Sequence, residues 1–92
     1  MSEPALLNVT EEIVKGLVNF MIHSPDYQTF CQCKKCELEI NAIALNNLPS
    51  KYVVGEQSRN AAYTKVNTPE NIEIINKQII RAFHLVSINP KH

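Results

Sequence analysis

Apolar residues return at helical intervals in three stretches of the chain. In the first, Val9, Ile13, Leu17, Phe20 and Met21 recur every three or four positions, and Val14 and Val18 widen the stripe, which predicts an amphipathic helix. It is expected to begin at about Val9. Asn8 is its expected N-cap, Glu11 is placed to reach back in a near capping box, and Glu11 and Glu12 both suit the positive helix end. Ser24-Pro25-Asp26 stops the pattern. Gly16 lowers helix propensity by about 1 kcal/mol against alanine, so a close packing neighbour is expected there.

The second stretch runs from Lys35 to about Leu48. Leu38, Ala42 and Leu45 mark one face, Ile40, Ile43 and Ala44 another, and Pro49 ends it. A helix apolar nearly all round belongs at the centre of a domain or between two copies of it. The third stretch has the clearest start: Thr68 as N-cap, Pro69 at the first helical position and Glu70 in the first turn. Ile72, Ile75, Ile79, Ala82, Phe83 and Val86 make its stripe, Ile74, Ile80 and Leu85 lie off it, and Asn89-Pro90 ends it.

Residues 1–7 read as a short lead, and residues 26–32 as a turn carrying Tyr27 and Phe30. Residues 51–55 and 61–66 are β-branched and aromatic, flank a polar GEQSRN segment, and are expected to be extended or to form a hairpin. The predicted fold is mainly α: a single small domain over residues 1–92, with about three main helices and a short extended or hairpin segment before the last helix.

Composition sharpens this picture in three ways. Among 92 residues, 45% are hydrophobic and 20% charged, so the chain is globular, but a core of this size leaves a thin stability margin that a metal or a second subunit would widen. The surplus of apolar residues on the last two helices predicts a homodimer. Nine basic and nine acidic residues cancel, which disfavours direct DNA binding. The apolar runs are short, and the first twelve residues carry acids where a secretory leader carries lysines. A cytoplasmic protein without a membrane segment is therefore expected. With two glycines in total, neither a P-loop nor G-x-G-x-x-G can be written.

The chemistry concentrates in Cys31, Cys33 and Cys36, a C-x-C-x-x-C cluster holding every cysteine of the chain. Three thiolates so close together suit one thiophilic ion, with Zn²⁺ the first expectation. Zinc prefers four ligands, and His23, His84, His92, a partner chain or water can supply the fourth. An odd cysteine count argues against a disulfide framework. Redox chemistry is the runner-up, because Cys33-Lys34-Lys35-Cys36 is a C-x-x-C at a helix start, where dipole and ammonium groups lower a thiol pKa. No βαβ pattern precedes it, as thioredoxin-like motifs require.

Enzymatic activity is not expected. None of the three histidines falls in a hydrolase or metalloprotease motif. His84, between Phe83 and Leu85, reads as a partly buried or interfacial structural residue. Glu37 and Glu39 are two apart on a helix and point to different faces.

The string CQCKKCELEINAIALNNLPSKYVV closely resembles the signature of the late competence protein ComFB family. The matching positions are Cys31, Cys33, Cys36, Glu39, Ile40, Ala42, Ala44, Leu45, Asn46, Leu48, Pro49, Tyr52 and Val53, and Ala62-Tyr63-Thr64-Lys65 is also similar to members of the family. The resemblance implies a small, mostly helical, dimeric domain with zinc on the cysteines. Some members carry a fourth cysteine near the C-terminus, where this chain has His92. Related members, including some without the cysteines, are receptors for cyclic di-GMP, so the resemblance implies a non-enzymatic receptor that passes its state to a downstream protein. The alternatives are a zinc-stabilised interaction module of the competence machinery for DNA uptake, and a thiol redox protein.

A cyclic dinucleotide needs cations for two phosphates, amides for base edges and flat side chains for stacking. Asn46, Tyr52, Arg59, Tyr63 and Lys65 supply those types and are the candidate ligand residues. The tyrosines equally suit the edge of a core with the hydroxyl in water, and Asn46 equally suits a helix C-cap.

Overall fold

The computed structural model describes residues 4–88. Strand β1 (Leu6–Asn8) leads directly into helix α1 (Val9–Ile22), and a 3-10 turn, Pro25–Tyr27, precedes helix α2 (Lys34–Asn46). Strand β2 (Tyr52–Val54), helix α3 (Glu56–Val66) and helix α4 (Pro69–Ile88) follow. The fold is mainly helical, with a short extended segment ahead of the last helix. The expected end of α4 at Asn89-Pro90 lies outside the described residues.

Helix α2 packs against both α1 and α4 with Ile40 and Ala44 buried between them, whereas Leu38 and Ala42 of the other face that reads as apolar are exposed. Val9, Val14, Val18 and Ile22 of α1, Ile40 and Ala44 of α2, and Ile79 and Ala82 of α4 are sealed from solvent. The predicted stripe of α4 is the buried one: Ile75, Ile79, Ala82, Phe83 and Val86 face the core, while Ile74 and Ile80 are exposed. Thr68 caps α4, its Oγ1 accepting from the Asn71 amide at 3.3 Å.

Four expectations are corrected. Residues 61–66 are helical, forming the second half of α3, and the extended segment pairs instead with the lead: Leu6 lies opposite Val54, Leu7 opposite Val53 and Asn8 opposite Tyr52, antiparallel. Glu56, Gln57, Arg59, Ala61, Ala62 and Lys65 are good helix formers, and Ala62 is the residue α3 buries, so no apolar stripe advertises it. Asn8 precedes α1 but makes no side-chain cap. Its Oδ1 accepts from the Lys51 amide at 3.0 Å, and the Val9 amide donates to the Lys51 carbonyl at 2.8 Å. The chain at Lys51 thus takes up the Asn8 oxygen that a cap would have used and satisfies one of the unpaired amides at the start of α1. Gly16 has no close neighbour: a Cβ there meets nothing within 4 Å. His84 is exposed on α4 rather than partly buried.

Candidate metal centre and the groove beside it

The cysteine loop is fastened on both sides. Tyr27 stacks on Phe83 of α4 with centroids 4.3 Å apart, and Phe30 meets Phe83 edge-on at 5.0 Å. Between the first two cysteines, Gln32 donates through Nε2 to the Ile22 carbonyl at the end of α1, at 2.8 Å. Cys33 then serves as the N-cap of α2, its Sγ accepting from the Cys36 amide at 3.4 Å.

The three sulfur atoms lie within 4.8 Å of one another. Zn–S bonds of ~2.3 Å in a tetrahedron separate sulfurs by about 3.8 Å, so the cluster needs only small side-chain rotations to close on one ion. Its electrostatics suit that use. The Cys36 amide, and then Cys31, hold the Cys33 thiol below its ordinary pKa. Cys36 is 2% exposed, and burial first, then its two sulfur neighbours, pushes its thiol up to about 12. A bound cation reverses that penalty, because a coordinating thiol gives up its proton. Donor type, proximity and charge all fit a metal ion held by Cys31, Cys33 and Cys36. Among the described residues no histidine, aspartate or glutamate joins the group. The His23 Nδ1 is instead 2.8 Å from the Asn19 carbonyl, and His92 lies outside the described residues.

The five candidate ligand residues are spread more widely. Arg59 and Tyr63 come together on α3, the guanidinium lying 4.8 Å from the centre of the Tyr63 ring. Both line a groove between α1 and α3, with a cavity volume of about 340 Å³, whose other walls include Glu12, Gly16, Leu17 and Asn67. Asn46 is the last residue of α2 and exposed, and the C-cap is Asn47, whose amide donates to the Ala44 and Leu45 carbonyls. Tyr52 opens β2 with its side chain exposed, and Lys65 sits in the last turn of α3. None of these three lines the groove.

Glu12 is the groove residue that sequence reasoning missed. Its position in the first turn of α1 explains an acid there by the helix dipole alone, and nothing local marks a partner on α3. Yet Arg59 grips it with a fork: Nε donates to Oε2 at 2.9 Å and Nη2 donates to Oε1. Arg59 Nη1 donates to Asn60 Oδ1 at 2.8 Å. This contact lowers the Glu12 pKa and raises that of Arg59.

The family model for the late competence development protein ComFB matches residues 7–90. The chain belongs to the ComFB family. The late competence protein ComFB from Bacillus subtilis, a solved structure, superposes with a TM-score of 0.77 at 19% sequence identity, covering 95% of this chain and 93% of that one. That likeness establishes the ComFB fold. No curated protein matches the chain. No helix among the described residues is long and apolar enough to cross a membrane.

Proposed function

We propose that this ComFB-family domain is a non-enzymatic receptor for cyclic di-GMP, with zinc on Cys31, Cys33 and Cys36 as a structural element. The observation that carries the reading is the pairing of Arg59 and Tyr63 at one groove. It offers a phosphate-binding fork beside an aromatic surface, the two features a nucleotide needs. The groove is at the small end of ligand-site volumes, so we assign it to one phosphoguanosine half of the two-fold symmetric ligand. A homodimer supplies the second. Ile74, Ile80 and Ile88 on α4 leave apolar surface for such pairing.

Zinc has a separate task. It ties the turn after α1 to the first turn of α2, and so stiffens a domain with a small core. Among the described residues no histidine or carboxylate joins the three sulfurs, which suits a structural ion.

One observation favours the second reading, a zinc-stabilised interaction module of the competence machinery without a nucleotide: the Arg59 fork already holds a carboxylate. Calorimetric titration with cyclic di-GMP separates the two. Stacking on an aromatic ring contributes about 1–3 kcal/mol, so Tyr63→Ala should weaken binding roughly five- to a hundredfold with helicity unchanged, and Arg59→Ala should weaken it and flatten its salt dependence. Absence of heat at millimolar ligand, both for the wild type and for a variant in which the Arg59 fork is released from Glu12, rejects the receptor reading and leaves the module.

A further inference from the structure

We infer that Glu12 is a resident anion of the α1–α3 groove, competing with the phosphate of the incoming ligand for the Arg59 fork, and that its displacement is the step by which ligand binding reaches α3. The inference rests on the reading of this groove as the dinucleotide site, and it explains why the proposed phosphate-binding group is found occupied.

The geometry is that of an anion receptor in its filled state. Both Glu12 carboxylate oxygens accept from the Nε and Nη2 edge of Arg59, the edge that binds carboxylate and phosphate oxygens alike. The rest of the guanidinium is held by other groups. Nη1 donates to Asn60 Oδ1, and the plane rests 4.8 Å from the centre of the Tyr63 ring. Losing Glu12 therefore leaves Arg59 oriented, with its fork open. The neighbouring Glu11 is paired with Lys15 at 3.8 Å along α1, so it is Glu12 that projects to α3.

Glu12 is also placed to leave. Its side chain is 44% exposed, against 29% for Arg59, so the freed carboxylate passes into water with little penalty, and exposed ion pairs are weak enough to exchange. A phosphate that takes the fork removes this ion pair between α1 and α3. Helix α3 is joined to β2 through Gly55, the glycine with positive φ at its N-cap, and leads through Asn67 and Thr68 into α4. A shift of α3 is thereby passed to the sheet and to the long helix.

The test is a double-mutant cycle read by calorimetry with cyclic di-GMP. Glu12→Gln should tighten binding by roughly two- to fivefold, the size expected for removing an exposed competing charge. Glu12→Asp, which keeps the charge, should stay near the wild-type affinity. On an Arg59→Ala background, Glu12→Gln should change nothing. A tighter Glu12→Gln variant whose gain depends on Arg59 supports the inference, even where the wild type binds too weakly to measure. Wild-type binding that Glu12→Gln leaves unchanged or weakens overturns the inference and spares the receptor reading. Failure of both proteins to bind overturns both.

Discussion

The Phe83 ring lies 4.3 Å from Tyr27 at an interplanar angle of 26°, so the turn that delivers the chain to the cysteines is seated on the long C-terminal helix. Phe30 closes the same cluster edge-on. Phe83 is itself almost wholly buried, and removing it affects two things at once. Phe83→Ala should cost about 3–5 kcal/mol of stability and weaken metal binding, because the cysteine loop loses its seat. Denaturant melts and metal titrations check the pair of effects. Loss of stability with unchanged metal affinity would show that Gln32 and the α2 cap position the sulfurs without the aromatic cluster.

Purified without chelator, the protein should carry close to one zinc per chain, and Cys33→Ser should lower metal content and melting temperature together. The pH dependence follows from Cys36. Its thiol is held up to about 12 in the metal-free fold, so at neutral pH ligation must expel that proton, and affinity must fall as pH falls. Titrations between about pH 6 and pH 8 should show affinity rising by about tenfold per pH unit for each proton released. A flat profile would exclude Cys36 as a ligand.

The acid limb of stability should carry a component from Glu12. Arg59 lowers its folded-state pKa, so the contribution is complete above the ordinary carboxylate value and disappears as pH falls through the lowered one. Glu12→Gln lacks it. The gap in melting temperature between wild type and variant should therefore narrow in acid, and a gap that is constant with pH contradicts the pairing.

Two glycines should respond in opposite directions. Gly16→Ala meets open space and should stabilise by about 0.4–1 kcal/mol, while the new methyl on the groove wall weakens ligand binding. Gly55 has φ 85° and ψ 159°, a region essentially reserved for glycine, and Gly55→Ala should destabilise by about 1–3 kcal/mol. Thermal melts of the two variants decide this, and equal shifts of the same sign would contradict the assigned backbone roles.

Dimerisation through the exposed side of α4 predicts that Ile80→Glu yields a folded monomer, since Ile80 is exposed and no packing is lost. Light scattering at micromolar concentration is the measurement, with circular dichroism to confirm the fold. A monomeric wild type would remove the prediction.

What could be read from the sequence was local. The start of α1 at Val9, the start of α4 at Pro69 with its Thr68 cap, and the cysteine cluster at the head of α2 all follow from residues a few positions apart, because helix periodicity, capping and C-x-C-x-x-C spacing act over one or two turns. The buried stripe of α4 follows for the same reason. Tertiary structure decided the rest. Pairing of Leu6–Asn8 with Tyr52–Val54 took the strand that residues 61–66 were expected to complete, and left those residues to a helix whose good formers outweigh Tyr63, Thr64 and Val66. The Asn8 side chain was drawn to Lys51 instead of its own helix, and the forked contact of Glu12 with Arg59 spans 47 positions. No periodicity records such contacts, since each depends on where two separately formed helices come to rest.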